Sequence, residues 1–136
     1  MDRKKAEKFH CTLEATQAIM AGKYKALIIW HLADAGQMRF SHLQRELPQA
    51  TAKMLSQQLK EMIEDGLVHR KLYPVVPPHT EYRLTELGST LVPLVHSMCA
   101  WGEEYFRHLG IPSPDEREAS VAAAQQALKP QKSRGN

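Results

Sequence analysis

The stretch "QATAKMLSQQLKEMIEDGLVHRKLYP", Gln49 to Pro74, decides how this chain is read. Leu55, Leu59, Met62 and Ile63 recur at helical spacing, Thr51 stands where an N-cap is needed, and Gly66 closes the run. Facing away from that apolar stripe are Thr51, Lys53, Met54, Gln57 and, further along, Lys60. A short basic segment follows at once and ends in "YPVVPPH", Tyr73 to His79. A catalytic pocket gives no reason for this order. A helix displayed to something large and anionic does.

Upstream, "SHLQRELP" begins at Ser41, with Gln44 three residues on as a capping-box partner and Pro48 as its stop. "MRF", Met38 to Phe40, reads as a short extended piece. Before it lies a helix from Tyr24 to Ala35, carrying Leu27, Ile28, Trp30 and Leu32 and stopping at Gly36. Thr12 caps a first helix that runs through Met20 and ends at Gly22. Downstream, "LVHRKLYP" and "TEYRLT" read as strands, with the proline-rich "VVPPH" as the exposed connection between them. Thr85 starts a last helix that continues to Leu109. The order is that of a winged helix-turn-helix: mainly α with a small β-hairpin wing, an α+β arrangement. Ser41–Leu47 and Thr51–Asp65 form the helix pair.

Composition sets limits around that core. A chain of 136 residues suits one domain with some surplus. A net charge of +3 and a pI near 8.9 are too weak for coating nucleic acid by charge alone, and they suit a localised basic face. The charged opening "MDRKKAEKFH" leads to no apolar signal region, and the longest clean apolar run, "ALIIW", is far short of a membrane span. A cytoplasmic protein, nucleoid-associated when bound to DNA, with both cysteines reduced, is expected. Residues 1–10 read as a charged segment, 11–109 as the folded domain, and 110–136 as a flexible tail with transient helix.

On the outward face of the second helix of the pair, Gln57 can pair with adenine, Lys53 and Lys60 with guanine or phosphate, and Thr51 and Met54 can touch a thymine methyl. Arg39, Lys23 and Lys25 are candidates for backbone phosphates, and Arg70, Lys71 and His79 sit on or beside the wing. Any solvated helix displays Lys and Gln. The capped first helix, the tight turn and the basic hairpin together favour the DNA reading.

Assembly has its own signal. Leu87, Leu91, Leu94, Met98, Trp101 and Tyr105 alternate in steps of four and three, close to a heptad seam, and the first helix adds Leu13, Ile19 and Met20. A two-fold homodimer through the terminal helices is expected, with Pro93 kinking the seam. No cofactor, metal or membrane is expected. His10, Cys11, His96 and Cys99 meet only if the first and last helices pack together, without a CxxC or HExxH spacing. No Gly-x-Ser-x-Gly or phosphate loop suggests an enzyme. The alternatives are a winged-helix module for protein–protein contact, a metal-responsive regulator and, last, a metal- or thiol-dependent enzyme.

The motifs "CTLEAT", "IMAGKYKALIIWHL", "MRFSHLQRELP", "KMLSQQLKEMIEDGLVHR" and "YPVVPPHTEYRLTELG", in this order and spacing, resemble the HxlR-type transcriptional regulators from Cys11 to about Trp101. The resemblance implies a bacterial or archaeal homodimeric winged-helix regulator, repressor or activator, acting on a pseudopalindromic operator in double-stranded DNA. The family's first helix usually begins at a Cys-Pro pair, whereas Cys11 is followed here by Thr12. Some members sense electrophiles or oxidants through an N-terminal cysteine, and Cys11 matches that position. Its neighbours Lys8 and His10 and the nearby helix start are compatible with a reactive thiolate. Cys99 reads as a packing residue.

Overall fold

The computed structural model describes residues 1–129. Its elements follow the expected order closely. Helix α1 (Arg3–Ala6) precedes α2 (Thr12–Met20), α3 (Lys25–Ala35), strand β1 (Met38–Arg39), α4 (Phe40–Glu46) and α5 (Ala52–Glu64). Strands β2 (Val68–Tyr73) and β3 (His79–Leu84) lead into α6 (Glu86–Ser89), α7 (Val92–Leu109) and α8 (Pro114–Ala127). One antiparallel three-stranded sheet has the order β1-β3-β2. The chain divides into two compact units, Met1–Val95 and a second beginning at His96. Among the described residues no helix is long and apolar enough to cross a membrane.

The first unit is built on α3. Tyr24, Ile28, Ile29 and Leu32 are buried against Leu43 and Leu47 of the α4 segment, Leu55, Leu59 and Met62 of α5, and Met38, Val68 and Tyr82 of the sheet. Full burial stabilises each large apolar side chain by about 1.5–3 kcal/mol. Leu27 and Trp30, two of the apolar residues expected on α3, face outward instead, and Ile29 takes the inward place.

Helix ends explain most of the boundaries. Thr51 Oγ1 accepts the Met54 N–H at 3.1 Å, as an N-cap should. At the other end of α5, the Gly66 N–H reaches Ile63 O at 3.0 Å and the Leu67 N–H reaches Met62 O at 2.9 Å. That paired closure needs a left-handed residue, and Gly66 supplies it at φ 76°.

Three expectations about where helices start and stop are corrected. Cys11, not Thr12, is the cap of α2: its backbone is extended and its Sγ accepts the Glu14 N–H at 3.4 Å. Ser41 caps nothing, because β1 hands the chain directly to α4 and the cap position falls on Arg39, which makes no side-chain capping bond. The last helix is broken in two. Thr85 Oγ1 accepts the Gly88 N–H at 3.0 Å and so starts α6, but α6 ends at Ser89. A continuous helix would press the Pro93 ring against the Ser89 carbonyl. With the break at Thr90–Leu91, Pro93 lies in the first turn of α7, where no N–H is required, and it does not kink a seam.

Within the second unit, residues 114–127, expected as a tail with transient helix, form α8. Ser113 and Glu116 make a reciprocal capping box with Pro114 at the first helical position, and no residue of α8 itself is buried. The last part of that tail, residues 130–136, lies outside the described residues.

Candidate nucleic-acid interface

The helix pair is held from beneath. The Leu47 N–H bonds to Leu43 O at 3.1 Å and the Ala50 N–H to Leu47 O at 3.0 Å, so the turn between α4 and α5 is tight, with Leu47 and Ala50 buried under it. Two long-range bonds fix α5 and the turn before it against the start of α3. The Tyr24 N–H donates to Gln58 Oε1 at 3.1 Å, and the Tyr24 hydroxyl donates to Gln49 O at 3.1 Å. With Leu55, Leu59 and Met62 facing inward, Lys53, Gln57 and Lys60 form an exposed stripe on the opposite side, and Glu64 continues it. Met54 lies on one flank, 40% exposed. Thr51 is exposed, but its oxygen already serves as the cap acceptor.

Lys25 must be withdrawn from the phosphate candidates. It is buried, and its Nζ lies 2.6 Å from Glu61 Oε2. Glu61 was not singled out from the sequence, yet it joins two elements: its Oε1 also accepts from Gln57 Nε2 at 3.2 Å. Lys25 first, and then Gln57, hold the Glu61 carboxyl below the usual glutamate range. Lys23 stays exposed, with its ammonium 5.6 Å from the Tyr24 ring centre.

The sheet sorts the remaining basic residues by the two-residue alternation of a strand. Arg70 pairs with Tyr82 and Val68 with Leu84, which puts Arg70 on the side of the sheet turned to the core and α5. There, Ser56, Lys60, Glu64 and Arg70, with Leu59, Ile63 and Tyr82, line a cleft of about 480 Å³. Lys71 pairs with Glu81, as does Arg39 from the other edge, so these two lie on the opposite face. Arg70 and Lys71, adjacent in sequence, therefore serve different surfaces. The outer face also carries His69 and Arg83, a pair in the ladder that sequence reasoning passed over; the alternation in "TEYRLT" was the signal that would have found Arg83.

His79 lies on that outer face too, packed against its neighbours rather than left free beside the wing. Its ring stacks on Tyr73 at 4.8 Å, and Nε2 lies 3.5 Å from Glu81 Oε1. The Lys71 ammonium sits 4.8 Å over the same tyrosine. At the tip, Val75 and Val76 are exposed.

A family model described as HxlR-like helix-turn-helix matches residues 19–109. The chain belongs to that family. Among curated relatives, MalR, named as a regulatory protein of Fusobacterium mortiferum, is 44% identical over 104 residues, covering 76% of this chain and 98% of MalR. YdeP of Bacillus subtilis (strain 168), an uncharacterized HTH-type transcriptional regulator, is 44% identical over 95 residues, 70% of this chain and 73% of YdeP. Among solved structures, the redox regulator HypR in its reduced form aligns with a TM-score of 0.69 at 42% identity, over 74% of this chain and 98% of HypR. Its oxidized form gives 0.65 at 45% identity, over 69% and 96% of the two chains. The winged helix-turn-helix architecture expected from the sequence is thus the fold of this HxlR-like chain.

The residues expected at a dimer seam are distributed unevenly. Leu94, Met98, Trp101 and Tyr105 are exposed along α7, with Trp101 68% open. Leu87 belongs to α6, and Leu91 falls in the break between α6 and α7. On α2, Leu13 is exposed, whereas Ile19 and Met20 are half-buried against the chain's own core. Cys11 and Cys99 are both exposed free thiols. Partial burial, with Asp115 and Glu103 nearby, pushes the Cys99 thiol up.

Proposed function

We propose that this chain is a sequence-specific DNA-binding transcriptional regulator that acts as a homodimer on a pseudopalindromic operator. Helix α5 enters the major groove and the β2–β3 hairpin lies beside it. The observation that carries the reading is the exposed stripe Lys53, Gln57, Lys60 on a helix whose other side is locked into the core and whose capped first turn is exposed. Gln57 reads a base edge, Lys53 and Lys60 take guanine or phosphate, and Thr51 and Met54 approach thymine methyls. Lys23 from the start of α3, and Arg70 through the cleft it shares with Lys60, supply backbone contacts. Arg39, Lys71 and His79, on or within the outer face, are secondary. The protein works in the cytoplasm, on the nucleoid when bound, and neither a cofactor nor an enzymatic step is part of the reading.

A second copy covers apolar residues of the terminal helices: the exposed Leu13, Leu94, Met98, Trp101 and Tyr105, together with Leu87, Leu91, Ile19 and Met20. Rows of large exposed apolar groups of this kind mark interaction surfaces. Oxidants or electrophiles are the signal, received at Cys11. Its sulfur is exposed, sits at the α2 cap, and already accepts a backbone N–H. The likeness to a redox regulator supports this assignment.

Footprinting on a selected operator tests the reading. Two half-sites with centres about 10 base pairs or a multiple apart are expected. Gln57→Ala should relax base preference, and Lys53→Ala should weaken binding. If both variants bind the operator as the parent does, α5 is not the recognition helix. Diamide should change binding by the parent and not by Cys11→Ser; an equal response in both removes Cys11 as the sensor.

A further inference from the structure

The end of the Gln57 side chain is chemically two-faced. Its amide carries a carbonyl oxygen on one side and an NH2 on the other, and a half-turn exchanges them. In this chain one end is fixed. Gln57 Nε2 lies 3.2 Å from Glu61 Oε1. An ionised carboxylate only accepts, so the nitrogen is the end that must face it. Glu61 is fixed in turn, because its second oxygen is 2.6 Å from the ammonium of Lys25. Lys25 is 4% exposed at the start of α3, so this anchor is itself set in the core. Lys25 and Gln57 keep the Glu61 carboxyl ionised and acceptor-only at neutral pH. Three side chains from two helices thus form one directed line of hydrogen bonds, ending in the DNA-facing stripe.

We infer that Lys25 and Glu61 are positioning residues that hold the Gln57 amide with its carbonyl oxygen free, so that the base it reads presents an exocyclic amino group in the major groove. The inference rests on α5 being the recognition helix. Adenine fits best: its N6 amino group donates to the free oxygen, while the second N–H of the Gln57 amide remains to meet N7. Cytosine offers the amino group alone. Guanine and thymine turn acceptors toward that oxygen and are disfavoured. The ion pair has a second consequence. It places a carboxylate beside a phosphate-rich partner while matching its charge from within the protein.

Glu61→Gln provides a specific test because it should reverse the line rather than cut it. The new amide keeps its oxygen toward Lys25 and points its NH2 at Gln57. The Gln57 oxygen turns to receive it, leaving NH2 toward the base.

The experiment is selection from a randomised duplex library with the full-length parent, Gln57→Ala and Glu61→Gln. Titrations would follow with four duplexes that differ only at the position where Gln57→Ala loses its preference. The parent should favour adenine or cytosine there by about ten-fold. Glu61→Gln should shift the preference to guanine or thymine, with preferences at the other positions intact. Lys25→Met, which releases the carboxylate from its anchor, should reduce the preference without reversing it. If Gln57→Ala flattens the position while Glu61→Gln keeps the parental preference, the positioning role is wrong although α5 still reads DNA. A parental preference for guanine or thymine also overturns it, as does a Glu61→Gln effect that weakens every position alike. If Gln57→Ala changes no position, Gln57 reads no base, and the inference falls together with that assignment.

Discussion

Glu61 and Lys25 form one ion pair, but removing either should not cost the same. Lys25 is 4% exposed and Glu61 39% exposed, with 2.6 Å between Nζ and Oε2. Glu61→Ala leaves an ammonium inside the core without its counter-charge. Breaking a fully buried pair in this way costs about 3–5 kcal/mol. Here water reaches the carboxylate side of the pair, so about 2–3 kcal/mol is expected. Lys25→Met keeps most of the buried stem and leaves behind a carboxylate that water can solvate, so its cost should stay below about 1 kcal/mol. Urea unfolding followed by circular dichroism, at fixed protomer concentration, reads both differences. The pH dependence gives a second check. The folded Glu61 carboxyl is held low by Lys25 and Gln57. Its contribution is therefore complete above the unfolded value of about 4.3 and is lost as pH falls through the lower folded value. The gap between parent and Glu61→Ala should be constant from pH 7 to 5 and narrow below about pH 4. If Lys25→Met costs as much as Glu61→Ala, the asymmetry in burial does not control the pair and the reasoning fails.

Arg70→Ala should weaken operator binding more than Lys71→Ala, because Arg70 shares a cleft with Lys60 whereas Lys71 lies on the outer face; anisotropy titrations at several salt concentrations would show a change of about one unit in the salt slope for the first alone. Gly88→Ala drives a Cβ into the Leu67 carbonyl oxygen, so α6 must move, and a loss of about 2 kcal/mol should appear in the same unfolding assay. Met98→Arg sets a charge in the exposed row of α7, and light scattering at micromolar concentration is expected to find the parent dimeric, as proposed, and the variant monomeric. Alkylation of Cys99, followed by mass spectrometry, should be slower in the folded protein at pH 7 than in urea, with the difference shrinking as pH rises, because its thiol is pushed up.

The elements that were legible in the sequence are those whose signals are local. Thr51 and Gly66 bracket α5 through backbone bonds within a turn of themselves, and the apolar spacing between them has only one helical interpretation. Pro93 was visible too, but its effect depends on where the neighbouring helix stops. The sequence alone placed it inside a continuous helix, whereas the chain accommodates it by starting a new one. Lys25 shows the harder limit. A lysine beside Lys23 at a helix start looks solvent-facing, and only the packing of α3 on α5 brings Glu61, 36 positions later, to neutralise it. The wing failed differently. Adjacency in the sequence groups its basic residues, whereas alternation along β2 and β3 separates Arg70 from Lys71 and joins Arg83 to the outer face. Gly88 left no mark beyond its type, since the need for it comes from the Leu67 carbonyl across the sheet-to-helix junction.

The central position of β3 between β1 and β2 restricts how relatives of this chain can change in length. A residue gained or lost in the connection between Tyr73 and His79 is absorbed at the tip, where Val75 and Val76 touch little. A residue gained within β3 would slip both ladders together and exchange the faces of Tyr82 and Glu81. The core would then receive a carboxylate and solvent an aromatic ring. Variation in reach is thus open to the wing, and variation in register is closed to it.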